Sequence, residues 1–178
     1  MKKNFRNHGF TLIEILIVLA ISVLMASIII FDNVSERQNS SLIRSSQKLS
    51  LDLRRAENFS LSSKIFKTYG VPCGWGVHFN GLDSTSYIIF ADLALNANCS
   101  DRDFVRAANG SEDFETVNLG YYVNVSYLSG GLSDIVFSPP DPKVVFVPDQ
   151  TTASVVLINK NLLTRTININ KFGFISSP

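Results

Sequence analysis

From Phe10 to Phe31 nearly every position is apolar, and Glu14 is the one ionisable side chain in the run. These 22 residues would rise about 33 Å as a helix, enough to cross a hydrocarbon core of roughly 30 Å, so residues 10–31 read as a membrane-spanning segment. Beyond Asp32 the apolar positions thin to a stripe. Val34, Leu42, Leu49, Leu53 and Ala56 recur at spacings near three, four and seven, and Glu36, Arg37, Arg44, Lys48, Asp52, Arg54, Arg55 and Glu57 fill the places between. No Gly or Pro interrupts the chain from Phe10 to Lys67. One helix of about fifty residues, roughly 75 to 80 Å long, is expected, its first half in lipid and its second half, residues 32–67, amphipathic. A coiled-coil stalk is the other reading of the second half, but the heptads are few and irregular.

From Tyr69 the period changes from helical to strand-like. Val77–Phe79, Ser86–Phe90, Thr116–Leu119, Tyr122–Leu128, Asp134–Phe137, Val144–Val147, Ser154–Ile158 and Arg165–Asn170 are short, rich in β-branched and aromatic residues, and partly alternating. Turn residues separate them, among them Asn80-Gly81, Ser129-Gly130-Gly131, Pro139-Pro140-Asp141-Pro142 and Asn159-Lys160-Asn161. The stretch Thr166–Asn170 alternates as a strand with one buried face, and Lys171–Ile175 follows with Gly173 as its turn or bulge. The fold class is therefore α+β: a long N-terminal helix packed on an antiparallel β-sheet head over residues 68–178.

The nine residues before the apolar run contain three cations, Lys2, Lys3 and Arg6, and no acid, which holds this end on the cytoplasmic side of a membrane. A secretory signal would be cut after its apolar core at small residues, yet Asp32, Asn33 and Val34 follow Phe31. The block Gly9-Phe10-Thr11-Leu12-Ile13-Glu14 resembles the type III signal of type IV pilins and pseudopilins. The resemblance implies that residues 1–9 are a cytoplasmic leader, that a membrane prepilin peptidase cuts after Gly9, and that the same enzyme N-methylates the new amine of Phe10. Glu14 would be the fifth residue of the mature chain. In a filament its carboxylate would meet the Phe10 ammonium of a neighbour, a pairing favoured over two separated charges at low dielectric. Ala20, Ser22, Ala26 and Ser27 would let other helices approach closely. A plain signal anchor that happens to contain a Glu is the bland alternative.

The order of helix through Leu53–Glu57, then Gly74–Phe79, then Tyr87–Asp92, and the closing Ile167–Ile175 with its Gly, resemble the minor pseudopilins of the H type and related minor type IV pilins. This resemblance implies a structural minor subunit of a type II secretion pseudopilus, processed, methylated and assembled through its N-terminal helix. Its partners would be other pilin or pseudopilin subunits, the prepilin peptidase/methyltransferase and membrane lipid. It would sit as a single-pass protein of the cytoplasmic (inner) membrane with its head outside the cytoplasm. A minor type IV pilin for pilus assembly or DNA uptake is the alternative, and a single-span anchored β-domain enzyme or binding protein a distant one.

Composition adds three points. The whole chain is +1 and the leader holds three positive charges, so the side chains after Gly9 sum to −2, which argues against wholesale binding to nucleic acid or anionic lipid. Cys73 and Cys99 both fall in the exported head, where an oxidising compartment permits a disulfide. Closing a loop of about 27 residues would stabilise the head by roughly 3 to 4 kcal/mol in the chain-entropy picture, and two separate thiols are the other reading. Chemistry is sparse. His78 is the one head histidine and reads as structural, and no nucleophile elbow, P-loop or zinc spacing occurs. The run Asp92, Asn96, Asn98, Ser100, Asp101, Asp103 offers oxygen ligands without the glycine and terminal Glu of a calcium loop, so a solvated loop is expected. Lys160, Arg165 and Lys171 could form a basic strip for DNA but read as solvated cations. No catalytic residue, metal or cofactor is expected.

Overall fold

A computed structural model describes residues 10–94, 99–139 and 143–177, with backbone alone at 28–35 and 101. Among the described residues a helix, α1, spans Leu12–Leu61, and nine strands follow it. The chain divides into two compact units, Met1–Arg37 and Gln38–Pro178.

In the first unit every described side chain from Phe10 to Ala26 is exposed. Twelve of them are large and apolar, distributed all round the helix, and include Phe10, Leu12, Ile13, Leu16, Leu19 and Leu24. Covering one such side chain is worth about 1.5 to 3 kcal/mol, so the segment has a strong drive to leave water that the unit itself does not satisfy. The hydroxyls in the run are spent internally: Ser22 Oγ donates to Val18 O (2.8 Å) and Ser27 Oγ to Leu24 O (2.7 Å). Among the described residues no helix is long and apolar enough to cross a membrane. The described side chains of the run stop at Ser27, and the rest of the expected span, 28–31, lies beyond them, as does Val34.

The second unit stacks the remainder of α1 on two antiparallel sheets. One has the order β3 (Asp113–Asn118), β2 (Ser86–Asp92), β1 (Gly74–Phe79), β5 (Asp134–Ser138), β6 (Lys143–Val147). The other has the order β4 (Val123–Leu128), β7 (Thr152–Asn159), β8 (Thr164–Asn170), β9 (Ile175–Ser176). Each of the eight runs expected from period and turn residues overlaps a strand, with ends shifted by up to three residues. Gly173, at φ +80°, makes the turn into the short β9. Strand alternation sends Trp75, Val77, Phe79, Tyr87, Ile89, Ile135 and Phe137 from the first sheet, and Ala153, Val155, Leu157, Ile167 and Ile169 from the second, into one core. Leu42, Leu49, Leu53 and Ala56 enter the same core from α1, so the amphipathic stripe is the buried face of a packed helix rather than a stalk.

α1 ends at Leu61 and does not run on to Lys67. Ser63 adopts φ +50°, and the bonds Ser63 N to Ser60 O (3.2 Å) and Lys64 N to Phe59 O (3.0 Å) close the helix with a Schellman turn. A serine stands where glycine is usual, which is why no stop is visible in the sequence. Gly120 owes its identity to helix contact: its N–H donates to Ser45 Oγ (2.9 Å), and an added Cβ would collide with the Ser41 hydroxyl.

The second face of the β1–β2–β5 sheet is also buried, because the segment after β2 crosses it. Arg102 donates to Cys73 O, just before β1, and Arg106 N to Asp134 Oδ1 in β5, while within the segment Leu93 N donates to Glu112 Oε1. Cys73 and Cys99 are joined across it, with Cα atoms 5.3 Å apart. The closed loop has a separation of 26 residues, for which the entropic contribution is about 3 to 4 kcal/mol. Cys73→Ser should therefore lower the melting point of the head by roughly 6 to 16 °C, since each kcal/mol moves a domain of this size by about 2 to 4 °C. Calorimetry with and without reductant checks this; an unchanged midpoint would mean that packing alone holds the crossing segment.

Candidate functional site

The beginning of α1 is built by two residues of the block that resembles a processing signal, Thr11 and Glu14. Thr11 is the N-cap. Its N–H and its hydroxyl both donate to Glu14 Oε2 (2.9 Å each), and its Oγ1 accepts from Glu14 N (3.3 Å). This is a capping box, Thr-x-x-Glu, in which two otherwise unpaired donors at a helix start are satisfied reciprocally. Glu14 also sits in the first turn of the helix, where the macrodipole favours a negative charge. The Glu14 carboxylate thus has hydrogen-bond partners within its own helix, without any neighbouring subunit. The spacing Thr11-x-x-Glu14 is the sequence signal of that box. Phe10, one residue before the cap, is 85 % exposed. Gly9 lies outside the described residues.

In the head the structure brings together groups that the sequence kept apart. Tyr87 donates its hydroxyl to Asp52 Oδ2 on α1 (2.6 Å), and burial together with that bond pushes the phenol well above its usual range. His78 Nδ1 lies 2.7 Å from Asp134 Oδ1 across β1 and β5, fixing a half-buried imidazole against a fully buried carboxylate. The third polar member of the covered face is Glu112, whose two oxygens accept from Leu93 N (2.9 Å) and Ala107 N (2.7 Å). Each of these is a clamp between elements. None pairs a base with a nucleophile.

Asp92 departs from the expectation of a solvated loop. It closes β2, is completely buried, and neither carboxylate oxygen has a hydrogen-bond partner. Burial, aided by the negative charges of Glu112 and Asp103 and opposed by Arg102, pushes its carboxyl up to about 7. The native state therefore holds a proton that the unfolded chain releases near 3.8. Stability from this group is fully present below about pH 4 and is lost as pH rises through about 7. Asp92→Asn, which keeps the neutral shape, should melt several degrees above the parent at pH 8 and equal it at pH 4. Equal melting at both values would show that the carboxyl does not ionise against its burial. Of the other oxygen-bearing residues in that run, Asn96, Asn98 and the Asp101 side chain lie outside the described residues. Among the described residues no group of His, Cys, Asp or Glu side chains converges on a metal-sized site.

The basic strip does not assemble. Lys171 Nζ pairs with Asp149 Oδ1 (2.8 Å), and Lys160 Nζ lies over the Tyr122 ring, 5.1 Å from its centre. Arg165 has interactions of its own in β8. The feature with a chemical consequence beyond folding is therefore the helix start: a capped Thr11–Glu14 pair, an exposed Phe10 beside it, and an apolar surface after it. Compared with known proteins, residues 4–30 match the prokaryotic N-terminal methylation motif. No curated protein and no solved structure matches the chain. The chain thus carries the prepilin-type N-terminal methylation motif, followed by an α+β head.

Proposed function

We propose that the protein is a structural minor subunit of a type II secretion pseudopilus. The observation that carries this reading is the match of residues 4–30 to the methylation motif, the segment that also ends in an unburied apolar helix. On this reading residues 1–9 are the cytoplasmic leader, 10–31 the membrane anchor, 32–67 the lower support of the head and its connection, and 68–178 the extracytoplasmic head. Cleavage falls after Gly9 and methylation on the Phe10 amine. Both Thr11 bonds end on Glu14 Oε2, which leaves Oε1 as the acceptor for the Phe10 ammonium of the adjacent subunit. The cost of a charge in an apolar assembly is then offset on both partners at once. The Cys73–Cys99 bond serves the head's stability in an oxidising compartment. No step of catalysis is assigned to the chain.

The order of helix, first strand, second strand and closing Gly-containing hairpin favours the secretion role over the pilus role. Deletion of the gene should leave the secreted proteins of its host trapped behind the outer barrier while surface pili remain. Loss of pili or of DNA uptake with secretion intact would assign the subunit to a pilus instead.

A further inference from the structure

We propose that the end of the head where α1 enters it is a lipid-facing surface, on which Tyr121, Tyr122, Leu162 and Leu163 rest in the headgroup region of the membrane while the subunit is anchored and unassembled. The proposal depends on residues 10–31 being the membrane anchor. The four side chains sit on two adjoining turns, one before β4 and one between β7 and β8, joined where Val123 pairs with Asn159. They are 74 %, 47 %, 79 % and 48 % exposed. Tyr122 and Leu162 are held at φ +59° and +61°, a backbone region that bulky side chains rarely occupy. Folding alone gives no reason to place large apolar groups there, exposed and strained.

Their place on the helix selects the occupant. Ser41 Oγ donates to Tyr121 O (3.2 Å), Asn159 Nδ2 donates to Asn39 Oδ1 (3.1 Å), and Gly120 N donates to Ser45 Oγ (2.9 Å). Both turns are thus fastened to the first turns of α1 within the head, and Asn39 follows Phe31, the last residue of the apolar run, by eight positions. The chemistry fits a bilayer interface better than a protein groove. Two phenols share a hydrogen bond at 3.0 Å, with Lys160 Nζ over one ring. Tyrosines with a neighbouring cation on an apolar base are the composition of the interfacial belt, where rings sit at headgroup level and a lysine reaches the phosphates. The Asp83 carboxylate on a neighbouring turn is engaged by Asn124 Nδ2 (3.0 Å). A subunit resting on this surface would keep it covered until assembly lifts the head from the membrane.

The test uses the full chain in vesicles of phosphatidylethanolamine and phosphatidylglycerol. An environment-sensitive fluorophore is placed at Leu162→Cys or, at the opposite end of the head, at Val71→Cys; Cys73 and Cys99 are bonded to each other. Shallow nitroxide-labelled lipid should quench the label at 162 by about half or more and leave the label at 71 unchanged, and adding Tyr121→Ser with Tyr122→Ser should weaken the quenching. Equal, weak quenching at both sites in protein that resists carbonate extraction would overturn the proposal and leave the anchor standing. A blue-shifted label at 162 that nitroxide lipid does not quench would mean that protein covers the surface, which also overturns it. Protein extracted by carbonate would remove the anchor and this proposal together.

Discussion

Glu14→Gln should leave the subunit processed, folded and membrane-bound, yet deplete it from assembled filaments by an order of magnitude or more. The reason is the separation of two roles in one side chain. Gln at the third helical position can still accept from the Thr11 N–H, so the capping box survives the change. What the substitution removes is the negative charge that the Phe10 ammonium of a neighbouring subunit would meet. Glu14→Ala removes both, and should add a loosened helix start, visible as faster amide exchange at Thr11–Ile15. Comparing the two variants by immunoblot of sheared filaments, with the membrane fraction as control, distinguishes capping from pairing. Normal incorporation of the Gln variant would eliminate charge pairing and leave Glu14 as a cap.

Gly9→Val should accumulate a precursor with the leader attached and no mature subunit. A peptidase acting beside the bilayer needs an extended, unhindered backbone at the scissile bond, and a β-branched side chain both stiffens and blocks it. The head folds from residues far downstream, so the precursor should retain the Cys73–Cys99 bond and a normal melting point. Mobility at mature size on a gel would place the cleavage elsewhere.

The head's strands were legible because their signal is local: β7 alternates buried and half-buried positions along its length, and Ile167 and Ile169 of β8 do the same. The helical stripe was legible for the same reason, through Leu42, Leu49, Leu53 and Ala56. Pairing was not. Nothing in the spacing announces that β1 lies between β2 and β5, or that α1 reaches both sheets through Asp52–Tyr87 and Asn39–Asn159, since those contacts join residues far apart in the chain. The stop at Leu61 was hidden because Ser63 supplies the left-handed residue. Asp92 reads as the start of a polar loop, but the crossing segment buries it, a tertiary effect with no local trace. The candidate site was the reverse case. The block from Gly9 to Glu14 was fully visible in the sequence, and the structure added the Thr11–Glu14 cap that sets how the carboxylate is held.

The most direct test is the intact mass and N-terminal fragment spectrum of the chain purified from the membrane of cells that contain the processing enzyme. The predicted result is a chain that begins at Phe10, lacks Met1–Gly9 and carries one additional methyl group on its terminal nitrogen. A chain that keeps its first nine residues, or one cut beyond the apolar run after Phe31, would contradict the pilin-like assignment.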